Sequence, residues 1–235
     1  MKTTFLSLAF TVLSTCSLFA HNMWIETTTT GKQGKSQSVK VFLGGYGENE
    51  RDSTKNWFSN TKEFTIWLIE PNGTKKQLTT KAEAIYFESS FTPDKEGVYT
   101  LSIGHEVAEV YGTTRYYYVA TAQVKVGAST LGQTNLSAAT DLCIQTSKVP
   151  TTPKPATLKF TYKGKDLDKT RASVGSPAGW AKAFETSNGT ITFDALWSGL
   201  YIAEAFYTED QAGSLNGKDY KKTMFVGTYG FEVEK

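Results

Sequence analysis

The chain holds two histidines, His21 and His105, and they are the side chains best suited to a late transition metal. A histidine at a mature N-terminus offers two nitrogens at once, the free α-amine and imidazole Nδ1. A second imidazole then completes a three-nitrogen, T-shaped donor set of the kind that suits Cu(II) or Ni(II). His105 is the remaining imidazole for that role. Met23 shares the strand parity of His21 and could add a soft thioether, although core packing is the usual work of such a residue. Glu204 alternates with Ile202 and Phe206 on one strand face, where a carboxylate needs a metal, an arginine or hydrogen-bond donors as partner. The expected metal set is therefore His21 and His105, with Glu204 and Met23 second, and the expected ion is Ni(II), Co(II) or Cu(II). A structural role stands beside this: Tyr99, Leu101, Ile103 and His105 share one parity, which sets His105 on an apolar face or at its end. No C-x-x-C or H-E-x-x-H spacing adds further ligands.

The metal set depends on a cut directly before His21, and the first twenty residues supply one. Lys2 provides a positive start, Phe5 to Leu13 a short apolar run, and Ala20 a small residue before the polar His21. That is the three-part pattern of a secretory signal peptide, residues 1–20. Ser7, Thr11, Ser14, Thr15 and Ser17 interrupt the run, so it falls short of the roughly 20 apolar residues of a membrane span. Leu13-Ser14-Thr15-Cys16 approximates a lipoprotein signal, the competing route of processing. The expected location is periplasmic or secreted. Cleavage after Ala20 leaves Cys143 as the one cysteine, which excludes an internal disulfide and reads as a quiet buried thiol.

A formal net charge of +2 over 235 residues implies no nucleic-acid partner. No hydrolytic constellation and no Gly-rich phosphate loop before a helix is visible, so the reading is non-catalytic. The aromatic residues fall mostly at strand positions and read as core.

What must position these residues is almost entirely strand and turn. Val39–Leu43, Phe64–Ile69, Ala84–Phe91, Val98–Ile103, Tyr116–Val119 and Ala122–Val126 form a first set, with Pro71-Asn72-Gly73 as a hairpin turn. The polar stretch Glu48–Lys62 reads as an extended loop with at most a helical turn. Residues 127–155 turn polar and carry Pro150, Pro153 and Pro155, the mark of a connection. Strand patterns resume at Thr157–Tyr162, Thr190–Phe193, Leu200–Phe206 and Thr223–Val226. The expected fold is all-β: an N-terminal β-sandwich over 21–130, a linker over 131–155 and a C-terminal β-sandwich over 156–235. Gly199-Leu200-Tyr201 and Gly97-Val98-Tyr99 repeat one turn. The stretch around the former resembles transthyretin-like modules, which suggests two related Ig-like or transthyretin-like units.

Ala20-His21-Asn22-Met23-Trp24-Ile25-Glu26 resembles the "A-H-x-x-W-[LI]-E" opening of a secreted family of unknown function once mislabelled as the nickel-transporter M subunit. The stretch from Gly179-Trp180-Ala181 to Trp197-Ser198-Gly199-Leu200-Tyr201-Ile202-Ala203-Glu204-Ala205 is similar to that family's second half. Asn22 stands where the family often has an acidic residue, and Thr27 where a proline is frequent. The resemblance implies periplasmic metal handling, with an inner-membrane metal uptake system as partner. Two rival functions follow from the same residues. One is a non-catalytic module that binds envelope proteins or glycans. The other is a copper-dependent oxidative enzyme, since an N-terminal His plus a second His is the ligand set of polysaccharide monooxygenases.

Overall fold

The computed structural model describes residues 21–132 and 140–235. The expected signal peptide and Cys16 lie outside the described residues. The chain is all-β, as its turn spacing and β-branched and aromatic content predict.

The first half contributes β1 (Asn22–Glu26), β2 (Thr30–Gly31), β3 (Gln37–Gly44), β4 (Ile66–Ile69), β5 (Lys75–Leu78), β6 (Lys81–Ala82), β7 (Phe87–Phe91), β8 (Gly97–Tyr111) and β9 (Thr114–Val126). After it come β10 (Leu142–Gln145), β11 (Pro155–Tyr162), β12 (Lys165–Asp166), β13 (Arg171–Gly175), β14 (Ala181–Glu185) and β15 (Thr190–Asp194). The last four are β16 (Gly199–Glu209), β17 (Gly213–Leu215), β18 (Lys218–Tyr220) and β19 (Lys222–Val233). Two 3-10 turns, Thr54–Asn56 and Thr61–Glu63, punctuate the polar loop after β3. Within the stretch read as a linker, Leu142–Gln145 is a strand. Leu142 and Ile144 are buried in the second core, and β10 pairs antiparallel with β11.

The sheets stack as three layers. The middle one runs β14-β13-β16-β19-β9-β8-β4-β5 and takes strands from both halves of the chain. Its two halves meet where β19 pairs parallel with β9, from Lys222 opposite Thr114 to Gly230 opposite Ala122. The sheet β1-β3-β7-β6 covers one face and builds a core with Met23, Ile25, Val41, Ile66, Leu101 and Ile103. The sheet of β10, β11, β12 and β15 covers the other, burying Leu158, Phe160, Ile191 and Phe193. Because successive strand residues point to opposite faces, β9 and β19 feed both cores. Tyr118, Ala120 and Val226 enter the first, while Val119, Phe225, Tyr229 and Phe231 enter the second.

The repeated Gly-x-Tyr turn has the same geometry at both places. Gly97 and Gly199 take φ of 140° and 126°, a region that favours glycine. The Tyr99 hydroxyl accepts from Lys95 N at 3.2 Å and donates to Asp94 Oδ1 at 2.9 Å or the Lys95 carbonyl at 3.1 Å. The Tyr201 hydroxyl accepts from Trp197 N at 3.3 Å and donates to the Trp197 carbonyl at 3.0 Å. Each tyrosine thus ties the start of a long strand, β8 or β16, to the turn before it.

Candidate functional site: a cleft around Glu204

The covering sheet on the first face stops at β1 and leaves the outward side of β13 and β16 open. Along β16, Tyr201, Ala203 and Ala205 turn into the second core. Ile202, Glu204 and Phe206 turn the other way and line a cleft of about 580 Å³. Glu204 therefore sits on an otherwise apolar strip, as its parity predicts. The strand β13 lays Ser173 directly opposite Glu204 in register, and Ser173 Oγ donates to Glu204 Oε2 at 2.8 Å.

The strand β1 brings the next partner. It crosses the face of the middle sheet, held where Thr228 Oγ1 donates to the Met23 carbonyl at 2.7 Å and the Tyr118 hydroxyl donates to the His21 carbonyl at 2.9 Å. That crossing turns Met23 into the first core, 1 % exposed, and turns Asn22 toward the cleft. Asn22 is 3 % exposed, its side chain donates toward the Glu204 carboxylate, and its Oδ1 has no hydrogen-bond partner. Among the described residues, no lysine or arginine forms an ion pair with Glu204. Desolvation raises the Glu204 pKa above the carboxylate value of 4.5, and hydrogen bonds from Asn22 and Ser173 oppose the rise. Glu48 adds to the rise and Arg171 opposes it.

The walls are aromatic. Tyr46, Tyr116, Tyr118 and Phe206 line the cleft. The Tyr46 hydroxyl donates to the Leu200 carbonyl at 2.7 Å, and burial pushes its pKa up to about 12. Burial likewise pushes Tyr118 up. Both phenols are neutral, with their protons committed to backbone carbonyls, so they offer a ligand ring surface. Arg171 and Lys182 also line the cleft, Arg171 with its guanidinium 5.4 Å from the Phe206 ring centroid.

A raised carboxylate pKa has a definite consequence for stability. The folded state holds the Glu204 proton more tightly than the unfolded chain, so stability is lost as pH rises from 4.5 toward the folded pKa. Glu204→Gln is expected to melt above the parent protein at neutral pH, with the gap closing on acidification into the ordinary carboxylate range. A gap independent of pH, measured by thermal unfolding, would contradict desolvation as the cause.

The histidines are held apart from this cleft and have separate partners. His21 Nδ1 lies 2.8 Å from Asp52 Oδ2, and its Nε2 lies 3.5 Å from Glu50 Oε2. The two carboxylates flank opposite edges of the ring and do not converge on one point. The nitrogen that would chelate with the α-amine, Nδ1, is the one that faces Asp52. His105, 7 % exposed, has Nε2 3.2 Å from Asn60 Oδ1, and burial lowers its pKa. No group of three or more His, Cys, Asp or Glu side chains among the described residues is arranged to hold a metal ion. Of the four expected ligands, Met23 is core and Glu204 lies in the cleft. Neither His21 nor His105 hydrogen-bonds to the other. Cys143 is a buried free thiol whose pKa is raised by burial.

Asn22, Ser173 and Tyr46 are among the cleft residues that the sequence does not single out as site residues. Asn22 carried a usable signal, since it has the parity opposite to Met23 and so belongs on the other face.

No family model matches the chain, and no curated protein matches it. Among solved structures, a DUF4785 family protein from Legionella pneumophila is similar over 77 % of this chain and 50 % of its own, with 15 % identity and a TM-score of 0.30. A trypsin-activated alpha-2-macroglobulin from Escherichia coli is similar over 91 % of this chain and 16 % of its own, with 7 % identity and a TM-score of 0.29. The chain thus spans half the length of the first and a smaller share of the second. No helix among the described residues is long and apolar enough to cross a membrane.

Proposed function

We propose that this chain is an exported, non-catalytic binding protein that takes a small solute into the cleft around Glu204. The observation that carries this reading is a carboxylate in that cleft whose hydrogen bonds come from neutral donors, Ser173 and Asn22, with Arg171 acting on it only at longer range. Leaving a partly buried carboxylate without a close cation costs stability that packing alone would not select for. The cleft volume falls within the roughly 300–1,000 Å³ typical of small-molecule sites. Export is supported by the signal-like opening of the sequence. Capture of nickel, cobalt or copper by His21 and His105 has less support, because the two rings have separate partners and Met23 belongs to the core.

The test is a panel of small polar solutes screened by thermal shift on the protein and on Ala183→Trp. Ala183 is an exposed residue of β14 that lines the cleft, so an indole there fills the space without touching a core. A solute present at about 100 times its Kd should stabilise the parent by about 2.7 kcal/mol and leave the tryptophan variant unmoved. Equal stabilisation of both proteins would place binding elsewhere and sink the reading.

A further inference from the structure

We propose that the ligand of this cleft carries a primary ammonium group, received by the Glu204 carboxylate and by Asn22 Oδ1. The inference rests on the reading of the cleft as a solute site and deepens it.

Two acceptors on the cleft floor lack the donor that each calls for. Glu204 has hydrogen bonds from Ser173 and Asn22, and Arg171 acts on it only at longer range, without a close ion pair. Neutral donors orient a carboxylate without cancelling its charge. Asn22, nearly fully buried, directs its donor end at that carboxylate and leaves Oδ1 unpaired, which is rare for a buried polar atom. A single –NH3+ group carries three donors and one positive charge, so it can satisfy both acceptors and neutralise the first. A neutral hydroxyl supplies one donor and no charge. No group of three or more His, Cys, Asp or Glu side chains among the described residues is arranged to hold a metal ion here.

The surroundings agree with an organic cation. Tyr118 lines the cleft, and aromatic faces attract cations within about 6 Å, as the guanidinium of Arg171 over Phe206 and that of Arg51 over Tyr46 already show. Ile202, Met224 and Val226 give an alkyl body an apolar wall. Arg171 and Lys182 also line the cleft, so a ligand whose other end is a carboxylate has a place for it. Two sources share the ammonium chemistry: simple alkylamines and free amino acids.

The chain's methionines permit a direct test. Met224 lines the cleft, whereas Met23 is sealed in the first core, so methyl resonances of carbon-13-labelled methionine report on ligand entry and on fold together. The full chain is titrated with n-butylamine, butan-1-ol and L-norvaline. Butylamine is expected to shift Met224 saturably and leave Met23 in place, with butan-1-ol at least tenfold weaker. Glu204→Gln should weaken butylamine at least tenfold while the Met23 signal is unchanged. Norvaline tighter than butylamine identifies amino acids as the source, and the reverse order identifies simple amines; both outcomes support the ammonium site. Equal affinity for butanol and butylamine, or undiminished butylamine binding by Glu204→Gln, overturns the ammonium and leaves the solute cleft standing. The butanol comparison needs no variant, so it decides the matter even if Glu204→Gln fails to fold. Silence of Met224 toward all three probes overturns the ammonium proposal, and the panel on Ala183→Trp then judges the cleft separately.

Discussion

Phe231→Ala is expected to destabilise the protein by about 3–5 kcal/mol and to loosen both halves of the chain. Phe231 is fully buried and packs its ring 5.8 Å from Tyr201, 5.5 Å from Tyr229 and 6.5 Å from Phe193. Truncation removes a large apolar surface and leaves a void that three aromatic neighbours cannot close. The effect should not stay in the second core, because β19 is bonded to β16 on one side and β9 on the other. Chemical denaturation with hydrogen exchange read separately for segments of each half measures this. A loss of protection confined to residues 142–233 would show that the halves unfold independently and that the shared sheet does not couple them.

The second large effect is expected at Gly230, where a single methyl group meets backbone. A Cβ there would lie 2.2 Å from the Ile25 carbonyl oxygen, far inside van der Waals contact. That oxygen belongs to β1, which is paired along its length with β3 and cannot step aside alone. Gly230→Ala should cost about 1–3 kcal/mol or more and lift β1 from the middle sheet. Trp24, stacked 5.3 Å from Phe42 on β1's other side, would report the shift by fluorescence. Gly227→Ala is the comparison. Its Cβ would meet Leu142 Cδ2 at 2.6 Å, a side-chain end that can rotate away, so its cost should be the smaller. Equal effects would mean that β1 is not seated as described.

Much of this architecture can be read along the chain wherever one face is buried and the other is wet. Alternation identified the apolar strip that ends in His105, and all four of its members are buried. The same rule set Glu204 on the face of Ile202 and Phe206. It worked less well for β9 and β19. Pattern alone divides Thr114–Val126 into two strands and shows only Thr223–Val226 of the last one. The physical reason is that these central strands are covered on both sides, so apolar, small and Thr residues follow one another without alternation. The strand β13 leaves no pattern, because Ala172 and Val174 are its only apolar side chains and are small. The cleft was not legible at all. It is made by register: Ser173 is opposite Glu204 across β13 and β16, and Asn22 arrives from the other end of the chain by the crossing of β1. No local pattern encodes such an encounter. The partners of the two histidines are no more legible, since residue type does not say that His21 meets Asp52 or that His105 meets Asn60.

The parallel seam between β9 and β19 also governs how the molecule can be made. Its partners are separated by most of the second half of the sequence, so the middle layer cannot close until β10 to β18 have been traversed. Contacts of such long range cost loop entropy before they return any stabilisation, and proteins rich in them fold slowly. Until β19 arrives, β9 presents an open edge of unpaired N–H and C=O groups, one already flanked by the tyrosines and valines that favour strand addition from another molecule. During synthesis the first half is therefore a sticky, half-finished template, and holding the chain unfolded until its last strand is present is the condition that limits pairing between chains.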